Sequence, residues 1–234
     1  MTVEKKQTVF AVILAAGSGT RMRSEVTKQR MDILGKSVLE RTVEAFEEAS
    51  EIDGIIVVAK EDELDFVRSA TKRASKLTDI VLGGRTRAES AKNGFMSIKK
   101  GVGAVMIHDG ARCLITPEAI NEIARAVRIH GAATAAARVT DTVKVTDKDG
   151  MITATVPREG MLAVQTPQAF SCDLYRRALE DADVLSPELT DDNMLVERLG
   201  VKIYPVLTEC ENIKITAPLD MEYAEFIIKK RQKL

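Results

Sequence analysis

The residues of this chain whose types and spacing could do chemistry are cations and small residues, with one acid among them. Residues 14–22 read LAAGSGTRM. There Ala15, Ala16, Gly17 and Gly19 let backbone approach a ligand closely, and Arg21 brings a fixed charge. Lys28 follows. Further along stand Gly84-Arg85 with Ser90, then Asp109-Gly110 with Arg112, Thr166, Thr190 ahead of Asp191-Asp192, and Lys214. A glycine loop beside fixed positive charge is how α/β proteins hold phosphate. Neither common phosphate motif is present. There is no G-x-x-x-x-G-K-[ST], and Gly17-Ser18-Gly19 lacks the third glycine of G-x-G-x-x-G.

The elements that must position these groups alternate between strand and helix patterns, which predicts a mainly parallel sheet covered by helices. Residues 10–14 (FAVIL) and 54–59 (GIIVVA) are apolar runs suited to strands buried on both faces. Shorter strands are predicted at 79–82, 104–108, 163–166, 201–207 and 213–216. Ser37 and Glu40 frame a capping box that starts a helix presenting Leu39, Val43 and Phe46 to the core. Helices are also predicted over 61–76 and 88–99, from Thr116-Pro117 to Gly131, from Asp173, ending at Gly200, and from Pro218 onward. The polar clusters fall just after predicted strands, the edge where open α/β sheets bind ligands. Asp109, closing one such strand, is the candidate magnesium ligand, because a hard dication needs oxygen donors and one carboxylate with phosphate oxygens suffices. Strand alternation puts His108 on the opposite face, in a structural role.

Residues 139–157 break the rhythm. Two alternating runs flank Asp147-Lys148-Asp149-Gly150 and read as a β-hairpin. A two-stranded ribbon is marginal alone in water, so this arm is expected to pack on a second copy of the chain.

With 234 residues, 45% hydrophobic and 29% charged, the chain suits a single domain spanning 1–234. A net charge of −1 argues against a broad nucleic-acid footprint. No apolar run approaches the ~20 residues of a membrane span. Lys5 and Lys6 ahead of the first apolar run resemble a signal peptide, but cleavage would sever the glycine loop from its strand, so a buried first strand is preferred. Cys113, Cys172 and Cys210 are widely spaced and odd in number. They fit a reduced, cytoplasmic setting without structural zinc, and Cys113 reads as a buried, inert thiol.

LAAGSGTRM resembles the L-A-A-G-x-G-x-R-M signature of nucleotidyltransferases. Together with Lys28-Gln29, GGRTRAES, HDGAR, DTVK, TVPR, TPQAF, TDD and NIKIT it comes in the order and spacing of the 2-C-methyl-D-erythritol 4-phosphate cytidylyltransferases. The resemblance covers nearly the whole chain. It implies a Rossmann-like three-layer fold of the nucleotide-diphospho-sugar transferase type with a protruding β-hairpin arm, working as a homodimer with Mg²⁺. The implied reaction joins CTP to methylerythritol phosphate and releases pyrophosphate. A phosphate monoester has a second pKa of about 6 and is already anionic at neutral pH, so the nucleophile needs no general base. The scarcity of histidine and the lack of a Ser–His or Cys–His arrangement are then expected. The reaction asks instead for charge stabilisation and alignment at the α-phosphate.

By the same resemblance Arg21 and Lys28 bind the triphosphate and stabilise the transition state, with Asp109 and Lys214 beside them. Ala15, Ala16, Gly17, Gly19, Gly84, Arg85, Ser90 and Gly110 hold CTP. Arg112, Thr166, Lys214 and Thr190 take the acceptor, while Thr142 and Arg158 reach the neighbouring subunit's site. Cys113 and Thr27 stand where the family often has proline, and Asn193 where it has a small residue. These departures bear on loop stiffness more than on charge. Two other readings stand beside this one: a ribitol-5-phosphate cytidylyltransferase, and a catalytically silent CTP-binding regulator. The joint presence of Arg112, Arg158 and Lys214 speaks against the regulator, which needs no acceptor side.

Overall fold

The computed structural model describes residues 7–17, 27–180, 182–208 and 211–233. In chain order the elements are β1 (Val9–Leu14), β2 (Asp32–Ile33), β3 (Lys36–Ser37), α1 (Val38–Glu48), β4 (Gly54–Ala59), α2 (Leu64–Thr71), β5 (Leu77–Leu82), α3 (Arg87–Met96) and β6 (Ala104–Asp109). They continue with α4 (Pro117–His130), β7 (Ala132–Arg138), β8 (Val143–Thr146), β9 (Ile152–Val156), β10 (Leu162–Ser171), α5 (Cys172–Glu180), α6 (Asn193–Glu197), β11 (Tyr204–Leu207) and α7 (Pro218–Arg231).

Seven strands form one sheet in the order β11-β7-β10-β6-β1-β4-β5. All neighbours are parallel except β10, which runs antiparallel to both β6 and β7. The chain moves outward from β1 to β4 and β5, then returns to lay β6 on the other side of β1. That reversal makes a switch point at the carboxyl ends of β1 and β6, where open α/β sheets form their binding crevice.

The buried strands explain the layers. In β1 the alternate residues Ala11 and Ile13 face one core, shared with Leu39 and Phe46 of α1 and Ile120 and Ile123 of α4. Val12 and Leu14 face the other, shared with Ala91 and Phe95 of α3 and Tyr175 of α5. A third cluster seats α7 through Ala224, Ile227 and Ile228 on Ile33, Cys113 and Leu114.

Several expected elements shift. The helix expected over 61–76 is a 3₁₀ turn at Glu61–Glu63 followed by α2, which stops at Thr71. The helix expected to end at Gly200 is only α6, five residues long. Residues 213–216 are not a strand. Ile215 donates one backbone hydrogen bond to Ala111 O at 2.8 Å and buries its side chain, but no ladder extends from it. The strand expected over 163–166 runs to Ser171, with a register shift between Val164 and Gln168 and a cis Thr166-Pro167 bond. Because β10 is antiparallel, this irregular first half lies beside the carboxyl end of β6. TPQAF thus arrives at the binding edge within a strand, not after one.

The arm is present. β8 and β9 pair antiparallel as a separate ribbon, with Val145, Met151 and Ile152 46%, 68% and 65% exposed.

Candidate active site

β6 ends on Asp109, which is buried at the switch point, 7% exposed. Its Oδ2 accepts from Lys214 Nζ at 2.8 Å and lies 3.7 Å from Arg112 Nε, while Oδ1 accepts from Arg87 Nε at 3.1 Å. Burial alone would raise the carboxyl pKa. The three cations outweigh it and hold Asp109 far below the usual carboxylate range, so it is ionised at neutral pH.

A directed chain of hydrogen bonds fixes the backbone here. Asp109 N donates to Thr166 Oγ1 at 3.0 Å, Thr166 Oγ1 pairs with His108 Nδ1 at 3.1 Å, and His108 Nε2 meets Arg112 O at 3.2 Å. A carbonyl only accepts, so Nε2 carries the proton and Nδ1 accepts from the threonine hydroxyl. His108 is the neutral imidazole, its pKa pushed down to about 3 by burial. It packs on Phe46 with ring centroids 4.9 Å apart, the structural role expected of it. Thr166, 4% exposed, spends its hydroxyl inside the protein holding Asp109, where the resemblance assigned it to the acceptor.

The next residue, Gly110, is a requirement of packing. A Cβ there would lie 2.9 Å from Leu14 O, the atom that accepts from Gly110 N, and Gly110 O accepts from Thr42 Oγ1 at 3.1 Å. On the β1 side, Ala15 N–H is spent on Val58 O at 2.7 Å and cannot also read a base. Gly17 lies beside Gln29, which neighbours Lys28; the Lys28 carbonyl accepts from Met31 N at 3.3 Å. Arg21 and Gly19 lie outside the described residues.

The β5–α3 loop forms the adjoining wall. A Cβ on Gly83 would come 2.4 Å from Ala16 Cβ, so only glycine lets the two loops touch. Ser90 Oγ donates to Thr86 O at 2.9 Å and accepts from Gly84 N at 3.0 Å. Arg85 N donates to Glu89 Oε2 at 2.6 Å, and its side chain is 76% exposed.

The structure thus brings Asp109, Gly110, Arg112, Thr166 and Lys214 together, with the Ala16 and Ser90 wall adjoining. It does not bring in three others within one chain. Thr142 and Arg158 are exposed on and after the arm, Arg158 Nη1 donating to Thr140 O, and Thr190 is exposed with its hydroxyl on Met194 Sδ. Arg87 went unassigned in the sequence, although its guanidinium bridges Asp109 and the fully buried Asp192. Its spacing to Ala91 places it on the buried stripe of α3, the signal that could have singled it out.

The model of the 2-C-methyl-D-erythritol 4-phosphate cytidylyltransferase family matches residues 9–230. The chain belongs to that family. Cytidylyltransferases of that name from Pelotomaculum thermopropionicum and Geobacter metallireducens are 40% and 42% identical to it. Those alignments cover 96% and 95% of this chain and 95% and 98% of theirs. The crystal structure of 4-diphosphocytidyl-2C-methyl-D-erythritol synthase from Anaerococcus prevotii superposes with a TM-score of 0.85. It is 31% identical and covers 96% of this chain and 97% of its own. The cytidylyltransferase from Thermus thermophilus gives a TM-score of 0.74 at 27% identity, covering 96% of this chain and 100% of its own. In this cytidylyltransferase, then, Asp109, Arg112 and Lys214 meet at the carboxyl edge of β1 and β6.

Proposed function

We infer that the chain transfers CMP from CTP to 2-C-methyl-D-erythritol 4-phosphate. An acceptor phosphate oxygen attacks the α-phosphorus, forming one P–O bond as the bond to the leaving pyrophosphate breaks. The observation that carries this is the ring of Arg87, Arg112 and Lys214 around the ionised Asp109 at the switch point. Three positive charges there exceed the two negative ones of Asp109 and Asp192. Such an excess suits two phosphorylated substrates, and no side-chain base is needed to make the nucleophile. Lys214 and Arg112 hold the acceptor phosphate, and Lys28 and Arg21 stabilise charge on the transferring group.

Ser90 gives base selection a physical form. With its proton committed to Thr86 O, the hydroxyl offers a ligand only a lone pair. It suits the N4 amino group of cytosine and not the O4 of uracil.

The implied Mg²⁺ fits the donor set. Two of the roughly four lone-pair sites of Asp109 are taken by hydrogen bonds, which leaves two, and a hard cation would use one of them. No cluster of three metal-ligating side chains occurs among the described residues, so Asp109 would hold the ion together with phosphate oxygens of the substrate. When bound, it neutralises phosphate charge.

The exposed apolar side chains of the arm support a homodimer in which Thr142 and Arg158 reach the partner's site. The free thiols of Cys113 and Cys172 support a reducing, cytosolic setting. Among the described residues no helix is long and apolar enough to cross a membrane.

Incubation with CTP, Mg²⁺ and either methylerythritol phosphate or ribitol 5-phosphate tests the reaction. Pyrophosphate release with the first acceptor alone is expected. Release with ribitol 5-phosphate alone would reassign the acceptor, and release with neither would leave a nucleotide-binding protein.

A further inference from the structure

We infer that Arg87, clamped by Asp192, is a positioning residue for cytidylyl transfer: it fixes the direction of the Asp109 carboxylate while Lys214 and Arg112 engage substrate. This rests on the reading that Asp109 works at the substrate phosphates.

The Arg87 guanidinium spans two acids on different elements. Nε donates to Asp109 Oδ1 at 3.1 Å and Nη1 to Asp192 Oδ2 at 2.6 Å. Asp192 cannot move to follow anything. It is 0% exposed, its Oδ1 accepts from Tyr175 Oη at 2.6 Å, and its backbone N donates to Gln168 Oε1 at 2.9 Å. Tyr175 is in turn fixed between Phe95 and Phe170, with ring centroids 5.0 and 5.3 Å away. The clamp therefore ends in the hydrophobic core.

The other two cations on Asp109 are held differently. Lys214 is 31% exposed on a flexible stem, and Arg112 lies 3.7 Å from Asp109 while its Nη1 donates to Asn212 O. Arg112, 14% exposed, meets Asp109 only at ion-pair range, and Lys214 can turn toward an incoming phosphate. Arg87 cannot, because leaving Asp109 would also mean leaving a buried carboxylate uncompensated.

Stability does not account for the arrangement. A buried ion pair is a poor stabilising device compared with apolar residues of similar volume. Arg87 also keeps a buried Nη2 with no hydrogen-bond partner among the described residues, which a pair built for stability would avoid. What the bridge supplies is direction, and small displacements at a reacting centre cost large factors in rate.

The test separates direction from folding. Arg87→Gln combined with Asp192→Asn removes both charges together, so neither is left buried alone. The expected double variant melts within a few degrees of the parent, keeps its KM for CTP within about threefold, and loses roughly 10²-fold in kcat. Arg87→Lys keeps the charge but lacks the planar fork, and should lose turnover too even if the double variant folds poorly. Parental kcat in either folded variant overturns the proposal, as does a loss confined to KM. Asp109→Asn distinguishes the layers beneath. Parental turnover there sinks the site reading itself. An impaired Asp109→Asn beside an unimpaired double variant sinks only the positioning role.

Discussion

Single side chains here do their work by being committed to a partner, and three expectations follow. Lys28→Ala should lose roughly 10²–10³ in turnover, the loss typical of removing one preorganised donor, and near-parental kcat would remove Lys28 from the chemistry. Ser90→Ala should lower kcat/KM for CTP by about tenfold or more while the trace rate with UTP stays put. Equal losses with both nucleotides would mean that the hydroxyl serves only the Gly84 turn. His108 sets a pH dependence. The unfolded chain protonates it near 6.5 and the folded chain only near 3, so its stability contribution is complete above about 6.5 and lost as pH falls toward 3. Asp109, depressed in the fold, acts in the same sense below about pH 4. Urea midpoints at pH 7 and 5 should differ more for the parent than for His108→Gln, and equal differences would contradict the assignment. Asp109 was legible in the sequence because it closes an apolar strand. Arg87 was not, since its partner Asp192 lies 105 residues away and no local pattern announces the pairing.

Elements were easier to read where their signals are local. Gly54–Ala59 matches its apolar run, and Thr116-Pro117 caps α4 with Thr116 Oγ1 accepting from Ala119 N at 3.3 Å. The direction of β10 was hidden, because a strand pattern carries no sign of whether its neighbours run with it. Residues 213–216 look like a strand by composition, yet they serve as a tether that buries Ile215 and delivers Lys214 to Asp109. The arm was legible from its turn and alternation. Deleting residues 143–155 should give a monomer by sedimentation with much reduced turnover, since Thr142 and Arg158 would no longer be presented to a partner. If mass and activity both survive the deletion, the arm is not the interface.

At the scale of the whole molecule, charge balance governs what binds and in which order. Among the described residues no group of three metal-ligating side chains occurs, so Asp109 would hold a hard dication only with help from phosphate oxygens. Equilibrium dialysis should therefore show little Mg²⁺ uptake by the protein alone and stoichiometric uptake once CTP is present. Tight binding without nucleotide would point to a preformed metal centre instead. The layered sheet, its helices and the crevice at β1 and β6 were within reach of the sequence, because apolar runs and alternation encode them. The site's internal wiring was not, because it joins segments from every third of the chain.

That wiring has a consequence for biosynthesis. The last strand of the sheet ends at Leu207, but the lysine that answers Asp109 comes later, followed by the helix that seats on Cys113 and Leu114. A nascent polypeptide emerging from the ribosome thus possesses all seven described strands of the sheet while the acid at their edge still lacks one counter-ion. Translation supplies that counter-ion only after the sheet has been written.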